Sequence, residues 1–222
     1  MAILKFLRKF KDMGISGAFA RWYDKNTREN RLSEMREYAE LVKKHIQDGG
    51  NVLEIAPGPG YLSIELAKMG NFNITGMDIS EDFIKICRKN AENEKVNVSF
   101  VTGNVSSMEF ADESFDFLVC SAAFKNFKQP VKALQEMHRV LKKGGIALII
   151  DMRRDVTKDE LKKEATRVSK SGFERMFMVS TFKQLCKYAY TVPEMEKMIT
   201  QTEFSKNESQ ISGITFYLYM HK

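Results

Sequence analysis

A single loop decides the fold, and its sequence is Glu54-Ile-Ala-Pro-Gly-Pro-Gly-Tyr61. The residues before it, 51–55, predict a short buried strand, and residues 60–69 after it carry apolar side chains at helical spacing. Gly58 and Gly60 let the backbone approach a ligand closely, and a helix that starts there presents amide groups that favour negative charge. A Gly-x-Gly turn alone is also typical of an ordinary tight turn, so its surroundings must decide between the two interpretations.

Units of strand, turn and helix repeat after this loop. Further strands are predicted over residues 72–77, 96–101, 115–120 and 146–150, and further helices over 81–91 and 130–141. This alternation predicts an α/β fold whose doubly wound parallel sheet is covered by helices on both faces. The chain then predicts helical material over 159–187, a short helix over 192–201, and an aromatic strand over 214–220 that follows without a long crossover helix.

The acidic residues around the loop indicate the kind of ligand. Asp78 ends the second predicted strand, 18 residues after Gly60, where a carboxylate can accept hydrogen bonds from both hydroxyls of a ribose. A dinucleotide fingerprint would need a third glycine where this sequence has Ser63, which weakens a dehydrogenase interpretation. Glu54 ends the first strand, and its carboxylate suits a cationic ligand better than a pyrophosphate. We therefore expect a sulfonium nucleoside that carries an ammonium group.

At these residues the sequence resembles the class I S-adenosylmethionine-dependent methyltransferases, in particular the small-molecule group that includes quinone-biosynthesis methyltransferases. The acidic-x-Gly-x-Gly-x-Gly motif of that family corresponds to Glu54 through Gly60, with Ala56 in place of the first glycine. The other matching motifs are Gly76-Met-Asp78-Ile79-Ser80, Gly103-Asn104-Val105, Phe115-Asp116-Phe-Leu-Val-Cys-Ser121 and Glu136-Met-His-Arg139-Val-Leu-Lys-Lys-Gly144-Gly145. Because five motifs occur in the right order, chance agreement is a poor explanation.

The resemblance implies a fold, a cofactor and a set of binding residues. The fold is a mostly parallel, seven-stranded, Rossmann-like sheet whose last strand is antiparallel. The cofactor is S-adenosyl-L-methionine, and the product is S-adenosyl-L-homocysteine. Asn104 stands where the family usually has an aspartate near the adenine, which implies a different polar contact. The implied cofactor-binding residues are Glu54, Ala56, Gly58, Gly60, Tyr61, Asp78, Ile79, Asn104, Val105 and Ser121.

The catalytic residues are left open by the sequence. Relatives often carry a histidine near the position of Asn126, so a general base at that position is in doubt. Methyl transfer from a sulfonium is an in-line displacement, and alignment of the reacting atoms can supply much of the rate without acid–base help. Tyr23, Lys125 and Asn126 are the candidates for a catalytic role, and Tyr61 could also assist, although each also suits positioning or packing.

The charge of the chain is unevenly distributed. The net charge of +6 divides into +4 over residues 1–50, −2 over 51–151, +5 over 152–187 and −1 over 188–222. The two positive segments indicate a surface for an anionic substrate, a nucleic acid or a membrane, or else a solvated face without a ligand. An apolar face within residues 3–11 lies beside four basic residues, a pattern that indicates peripheral membrane contact or packing on this domain or on a partner chain.

The chain is predicted to form one methyltransferase domain over residues 1–222. It would comprise an N-terminal helical arm over 1–48, a cofactor-binding core over 49–152, a helical cap insertion after strand five over 153–192, and a C-terminal helix and strands over 193–222. We expect the arm and the cap to cover the reactive methyl group. Apolar residues that could form the acceptor wall, or ordinary core, are Phe19, Trp22, Tyr23, Met176, Phe177, Met178, Phe182, Tyr188 and Tyr190.

Several function classes stay open at this stage. The first is a methyltransferase that acts on an unidentified small molecule, anionic or hydrophobic. The second is an RNA or protein methyltransferase that uses the basic surface, although no RNA-binding appendage and no Pro-Pro-Tyr-type motif supports a nucleic acid. The third is a nucleoside-binding relative that does not methylate, including a nicotinamide oxidoreductase, which Glu54 and Ser63 disfavour. The oligomeric state is not indicated.

Location and metal content follow from simpler features. No apolar run reaches the about 20 residues of a membrane helix, and charged residues interrupt the hydrophobic N-terminus, so we predict a cytoplasmic protein. The three cysteines and three histidines are dispersed and form no CxxC pair, so neither a disulfide framework nor a metal site is predicted.

Overall fold

The computed structural model describes residues 11–12, 14–169 and 171–222, so the predicted amphipathic helix over 3–11 lies outside the described residues except for Lys11. The helices are α1 (Gly17–Asn30), α2 (Leu32–Lys43), α3 (Tyr61–Ala67), α4 (Glu81–Asn93), α5 (Pro130–Val140), α6 (Lys158–Val168), α7 (Gly172–Cys186) and α8 (Val192–Ile199). A short 3₁₀ helix spans Phe124–Asn126. The strands are β1 (Asn51–Ile55), β2 (Asn73–Asp78), β3 (Ser99–Thr102), β4 (Phe115–Ser121), β5 (Leu141–Met152), β6 (Lys206–Ser212) and β7 (Thr215–His221).

The seven strands form one sheet in the order β3-β2-β1-β4-β5-β7-β6. Strands β1 to β5 are parallel, whereas β7 pairs antiparallel with both β5 and β6. The strand order reverses between β1 and β4, and open α/β sheets bind their ligands at the carboxyl ends of the strands on either side of such a reversal. The predicted fold class is therefore confirmed, and the topology places the candidate site above β1, β2 and β4.

Alternate residues of the central strands fill two separate cores. Leu53 and Leu118 face a core that α5 and α8 cover, whereas Val52 and Phe117 face a core that α2, α3 and α4 cover. Because both faces are buried, nearly every position of a central strand is apolar, as the continuous Phe-Leu-Val-Cys run of β4 illustrates. Each fully buried leucine contributes about 1.5–3 kcal/mol to the free energy of unfolding.

The structure differs from the predicted elements at several places. Strand β3 begins at Ser99 rather than at residue 96, and no strand was predicted where β6 lies. The basic segment predicted as continuous helical material over 159–187 forms two helices, because α6 ends at Val168 and Ser171 caps the start of α7 by accepting a hydrogen bond from the Glu174 amide. Strand β5 begins at Leu141 rather than at Ile146, since its pairing with β4 shifts register and Gly144 takes a positive φ of 77°.

No helix among the described residues is long and apolar enough to cross a membrane.

Candidate cofactor and acceptor site

The glycine loop between β1 and α3 depends on left-handed backbone conformations. Ala56 and Gly58 both have a φ of 56°, and Gly60 has a φ of 84°. A Cβ atom at Gly60 would lie 2.9 Å from Cys87 Sγ, so only glycine fits at this position. Ala56 stands where the family has glycine, and its positive φ lowers the stability of the fold by about 1–2 kcal/mol. The alanine that replaces the first glycine of the family motif is therefore held in a strained conformation.

Asp78 ends β2 directly beside this loop. Its Oδ2 accepts a hydrogen bond from the Gly58 amide at 3.1 Å, and its Oδ1 accepts one from the Ser80 amide at 2.8 Å. Burial raises the pKa of Asp78 to about 6, although these backbone hydrogen bonds oppose the shift. The structure therefore brings the predicted ribose acceptor and the glycine loop into contact.

Glu54 is the penultimate residue of β1, and its side chain is buried. Its Oε2 accepts hydrogen bonds from the amide of Ser63 at 2.9 Å and from the hydroxyl of Ser63 at 2.5 Å. Burial raises the pKa of Glu54 to about 7; the Ser63 hydrogen bonds oppose this shift, and the negative charge of Asp78 adds to it. Two carboxylates thus face the same loop, an arrangement that favours a cationic ligand.

Helix α1 packs directly on the glycine loop. A Cβ atom at Gly58 would lie 3.6 Å from Cε1 of Tyr23, and the Tyr23 hydroxyl accepts a hydrogen bond from Arg31 at 3.2 Å. The Tyr61 hydroxyl donates to Asp24 Oδ1 at 2.9 Å, and burial together with this bond raises the Tyr61 pKa. A raised pKa opposes proton removal, so Tyr61 is poorly suited to be a base.

Two residues of this contact were not predicted. Asn90 of α4 donates hydrogen bonds to Asp24 Oδ1 at 2.9 Å and to the Pro59 carbonyl at 3.0 Å, so it ties the arm to the loop. Neither Asp24 nor Asn90 lies in a motif, and the partners are 66 positions apart in the chain. The one feature of the sequence that could have indicated this contact is the polar Asn90, whose amide is buried on an otherwise apolar helix face.

The chain before α1 contacts the loops on both sides of the crevice. At one end, Asp12 accepts a hydrogen bond from the Lys128 amide at 3.0 Å, in the loop after β4. At the other end, the Gly17 amide donates to Asp82 at 2.7 Å and the Ser80 hydroxyl donates to the Ile15 carbonyl. Residues 11–12 therefore contact the loop after β4, and residues 14–17 contact the start of α4.

The loop after β4 places Lys125 in an ion pair rather than in a position to accept a proton. Its ammonium donates to Asp151 Oδ1 at 2.7 Å and to the Ala122 carbonyl at 2.7 Å, and its backbone amide donates to Asp151 Oδ2 at 3.1 Å. The side chains of Lys125 and Asp151 are only 11% and 3% exposed. Lys125 thus has the contacts of a positioning residue, and Asn126 lies exposed at the end of the 3₁₀ helix.

The remaining candidates line the same edge of the sheet. The Gly103 amide donates to the Asp78 carbonyl at 3.0 Å, which brings the Asn104 turn next to the end of β2. The Asn104 side chain accepts a hydrogen bond from the Ser106 amide at 2.8 Å, and Val105 is buried in the core. Ile79 is 37% exposed beside Asp78, and Ser121 is half-buried at the end of β4.

The comparison with known proteins agrees with this arrangement. Residues 46–213 match the model of a family described as methyltransferase domain. A demethylmenaquinone methyltransferase of Chlorobaculum parvum is 32% identical over 171 residues, which cover 71% of this chain and 66% of that protein. One of Listeria monocytogenes is 37% identical over 109 residues, 48% of this chain and 46% of that protein. The chain therefore spans less than two thirds of the length of these curated relatives.

A solved structure shows the same fold. It is a protein of Methanococcus maripaludis described as a candidate S-adenosyl-L-methionine-dependent methyltransferase, with a TM-score of 0.71 and 23% identity over 94% of this chain and 97% of that one. The predicted resemblance to a methyltransferase family is confirmed by the family match and by the curated relatives, and the solved structure confirms the fold. The chain belongs to the family described as methyltransferase domain, and it is similar in sequence to the demethylmenaquinone methyltransferases.

Proposed function

We propose that this chain transfers the methyl group of S-adenosylmethionine to a small, lipophilic acceptor of the quinol type. The observation that carries the proposal is the contact between Asp78 and the Gly58 amide at the point where the strand order reverses. The acceptor class is taken from two relatives that are named demethylmenaquinone methyltransferases, and we extend it to this chain as part of the proposal. A cytoplasmic location belongs to the same proposal.

In this proposal, different residues around the loop contact different parts of the cofactor. Asp78 accepts the ribose hydroxyls, and Ile79, Asn104 and Val105 border the adenine. The left-handed backbone at Ala56, Gly58 and Gly60 keeps side chains away from the nucleoside. Glu54 and Ser121 face the methionine end, where the Glu54 carboxylate attracts the ammonium group. The raised pKa of Glu54 supports its role, because a buried carboxyl group gains most by ionising next to a cation.

The mechanism assigned to this geometry is in-line displacement at the methyl carbon. When bound, the cofactor would supply an electrophilic methyl group on a sulfonium and would leave as S-adenosylhomocysteine. The chain contributes alignment and water exclusion through α1, whose Tyr23 packs on Gly58 and whose Asp24 accepts a hydrogen bond from Tyr61. Lys125, held by Asp151, fixes the loop after β4, which borders the acceptor side.

Cofactor binding tests the proposal most directly. Titration calorimetry should detect S-adenosylmethionine binding by the wild-type chain and a weakening of about 1–3 kcal/mol in Asp78→Ala, which loses the ribose acceptor. Asp112→Ala is the matched control, because Asp112 is exposed and pairs with Arg139 away from the crevice. Unchanged affinity in a folded Asp78→Ala variant would contradict the assignment.

The acceptor is tested separately. A short-chain demethylated naphthoquinol with labelled S-adenosylmethionine should yield a labelled methylated product and S-adenosylhomocysteine in equal amounts. Methylation of total RNA or of a protein mixture instead would replace the quinol-type acceptor with the alternatives that use the basic surface. Stabilisation by NAD or NADP but not by S-adenosylmethionine in a thermal-shift panel would overturn the proposal as a whole.

A further inference from the structure

Helix α7 carries apolar side chains on two opposite faces. On one face, Val179, Phe182 and Cys186 pack against Leu161 of α6 and against Ile214 before β7. This packed face is sufficient to hold the helix on the domain, because it has the spacing of an ordinary amphipathic helix. The apolar residues on the other face therefore need a different explanation.

The opposite face presents large apolar side chains to solvent. Phe173, Met176 and Phe177 are 79%, 67% and 64% exposed, respectively. Their spacing of three and four residues puts them side by side within about one helical turn. Single exposed apolar residues are common, but three adjacent large ones indicate a surface that binds something apolar.

Basic residues continue this face toward the end of the helix. Lys183 and Lys187 follow Met176 by 7 and 11 residues, so they lie on the same side of the helix. In the part of the chain that the structure describes, no salt bridge involves Arg175, Lys183 or Lys187, whereas Arg167 of α6 pairs with Glu164. An apolar cluster followed by unneutralised basic side chains is typical of a helix that lies in a membrane interface.

We propose that the exposed face of α7, formed by Phe173, Met176, Phe177, Lys183 and Lys187, docks on the surface of an anionic lipid bilayer. Charge decides between the candidate occupants. A second copy of this chain would bring one +5 segment, residues 152–187, against another, whereas anionic headgroups neutralise that charge.

The position of α7 gives the docking a consequence for the reaction. Tyr190, four residues beyond the end of α7, contacts Phe124 in the loop after β4, with ring centroids 5.9 Å apart. Lys11 lies over the same Tyr190 ring, with its ammonium 5.9 Å from the ring centroid, so this basic residue also lies beside the loop after β4. Docking brings the acceptor side of the crevice next to the bilayer, from which a lipophilic acceptor can enter. This consequence rests on the proposed function.

Vesicle flotation of the full-length chain tests the docking. The chain should float with phosphatidylcholine vesicles that contain about one third phosphatidylglycerol, and not with phosphatidylcholine alone. The variant F173S/M176S/F177S should weaken binding by about tenfold or more, because it removes the inserted apolar surface. Its control is Ile211→Ser, which removes a similarly exposed apolar side chain from the edge strand β6.

The basic residues are tested by charge reversal. K183E/K187E should weaken binding by about tenfold at low ionic strength, and this effect should shrink at about 0.5 M salt. The control K43E/K44E reverses two exposed lysines at the end of α2, next to the amino end of β1, and should bind as the wild-type chain does.

Three outcomes would overturn the proposal: no flotation of the wild-type chain, equal flotation of the triple serine variant, or a dimer in light scattering that the same variant dissociates. Calorimetry with S-adenosylmethionine on the same samples separates the two proposals. A chain that binds the cofactor but not vesicles loses only the docking surface. One that floats but does not bind the cofactor loses only the proposed function.

Discussion

Ser63 donates two hydrogen bonds to one oxygen of Glu54, from its amide at 2.9 Å and from its hydroxyl at 2.5 Å. The other oxygen, Oε1, accepts no hydrogen bond from any described residue, so it is the one that remains for a ligand. Ser63 also occupies the position of the third glycine in a dinucleotide fingerprint. The residue that disfavours a dinucleotide thus orients the acid that favours a cation.

The first prediction concerns the pH dependence that Glu54 confers. Because its pKa rises from 4.5 to about 7 on folding, the folded chain binds more protons than the unfolded chain between these values, and stability falls as pH rises through this window. Glu54→Gln should remove that loss and raise the free energy of unfolding at pH 8 relative to the wild type, by about 3 kcal/mol at most. Urea unfolding from pH 5 to about 8.5 measures it.

The same variant should weaken cofactor binding although it stabilises the chain, because glutamine cannot neutralise the ammonium group. Glu29→Gln, on the exposed surface of α1, is the control and should change neither quantity. A Glu54→Gln chain with a wild-type pH profile would show that the carboxylate ionises normally.

The second prediction tests the close approach at Gly60. Gly60→Ala should lower the free energy of unfolding by about 1–3 kcal/mol, because the methyl group would lie 2.9 Å from Cys87 Sγ and the φ of 84° disfavours alanine. Adding Cys87→Ala should restore part of the loss but not the part due to φ. Gly172→Ala, which has open space and begins α7, should be neutral or slightly stabilising.

The third prediction concerns Ala56, the departure from the family motif. Ala56→Gly should leave stability unchanged or raise it by up to about 1 kcal/mol, since relief of the φ of 56° offsets the entropy of glycine in the unfolded chain. Ala91→Gly in α4 has ordinary helical geometry and should cost about 1 kcal/mol or more. If both substitutions destabilise equally in thermal unfolding, Ala56 is not strained.

The fold could be predicted from sequence because its determinants are local. The Glu54–Tyr61 loop, the helix that begins at Glu81 and the apolar runs of β1 and β4 each depend on neighbouring residues, and the structure has them as expected. The ends of the helices and strands were predicted less accurately than their order. The strand predicted over 146–150 begins already at Leu141, because the pairing of Leu141 with Phe115 extends it toward the helix.

The site was predictable only where it coincides with a motif. Asp78 and the glycine loop meet because adjacent parallel strands end at one edge, which the order of elements already implies. The contacts of Tyr61 with Asp24 and of Lys125 with Asp151 join residues 37 and 26 positions apart, respectively. Pattern and spacing do not encode such pairs, and for this reason Lys125 was considered for catalysis without its partner.

The fourth prediction tests how the arm is held on the loop. Asp24→Ala removes the acceptor that Tyr61 and Asn90 share and should cost about 1–3 kcal/mol of stability. Because α1 covers the loop, the variant should also release bound S-adenosylmethionine faster while its association rate stays nearly constant. Stopped-flow measurements would detect this difference, and Asn30→Ala, at the exposed end of α1, is the control.

The fifth prediction separates a positioning role of Lys125 from a structural one. Removing one member of the buried pair, in Lys125→Met or Asp151→Asn, should cost about 3–5 kcal/mol because it leaves the other without its partner. The double variant should cost less than the sum of the two, which a double-mutant cycle in urea would show. Lys142→Met, which breaks the half-exposed pair with Asp116, should cost about 1 kcal/mol or less and serves as the control.

If Lys125 positions the loop after β4 for the acceptor, Lys125→Arg should keep most of the kcat, and Lys125→Met should raise the KM for the acceptor without changing the cofactor affinity. A Lys125→Met chain whose kcat acquires a new pH dependence would show instead that Lys125 takes part in proton transfer.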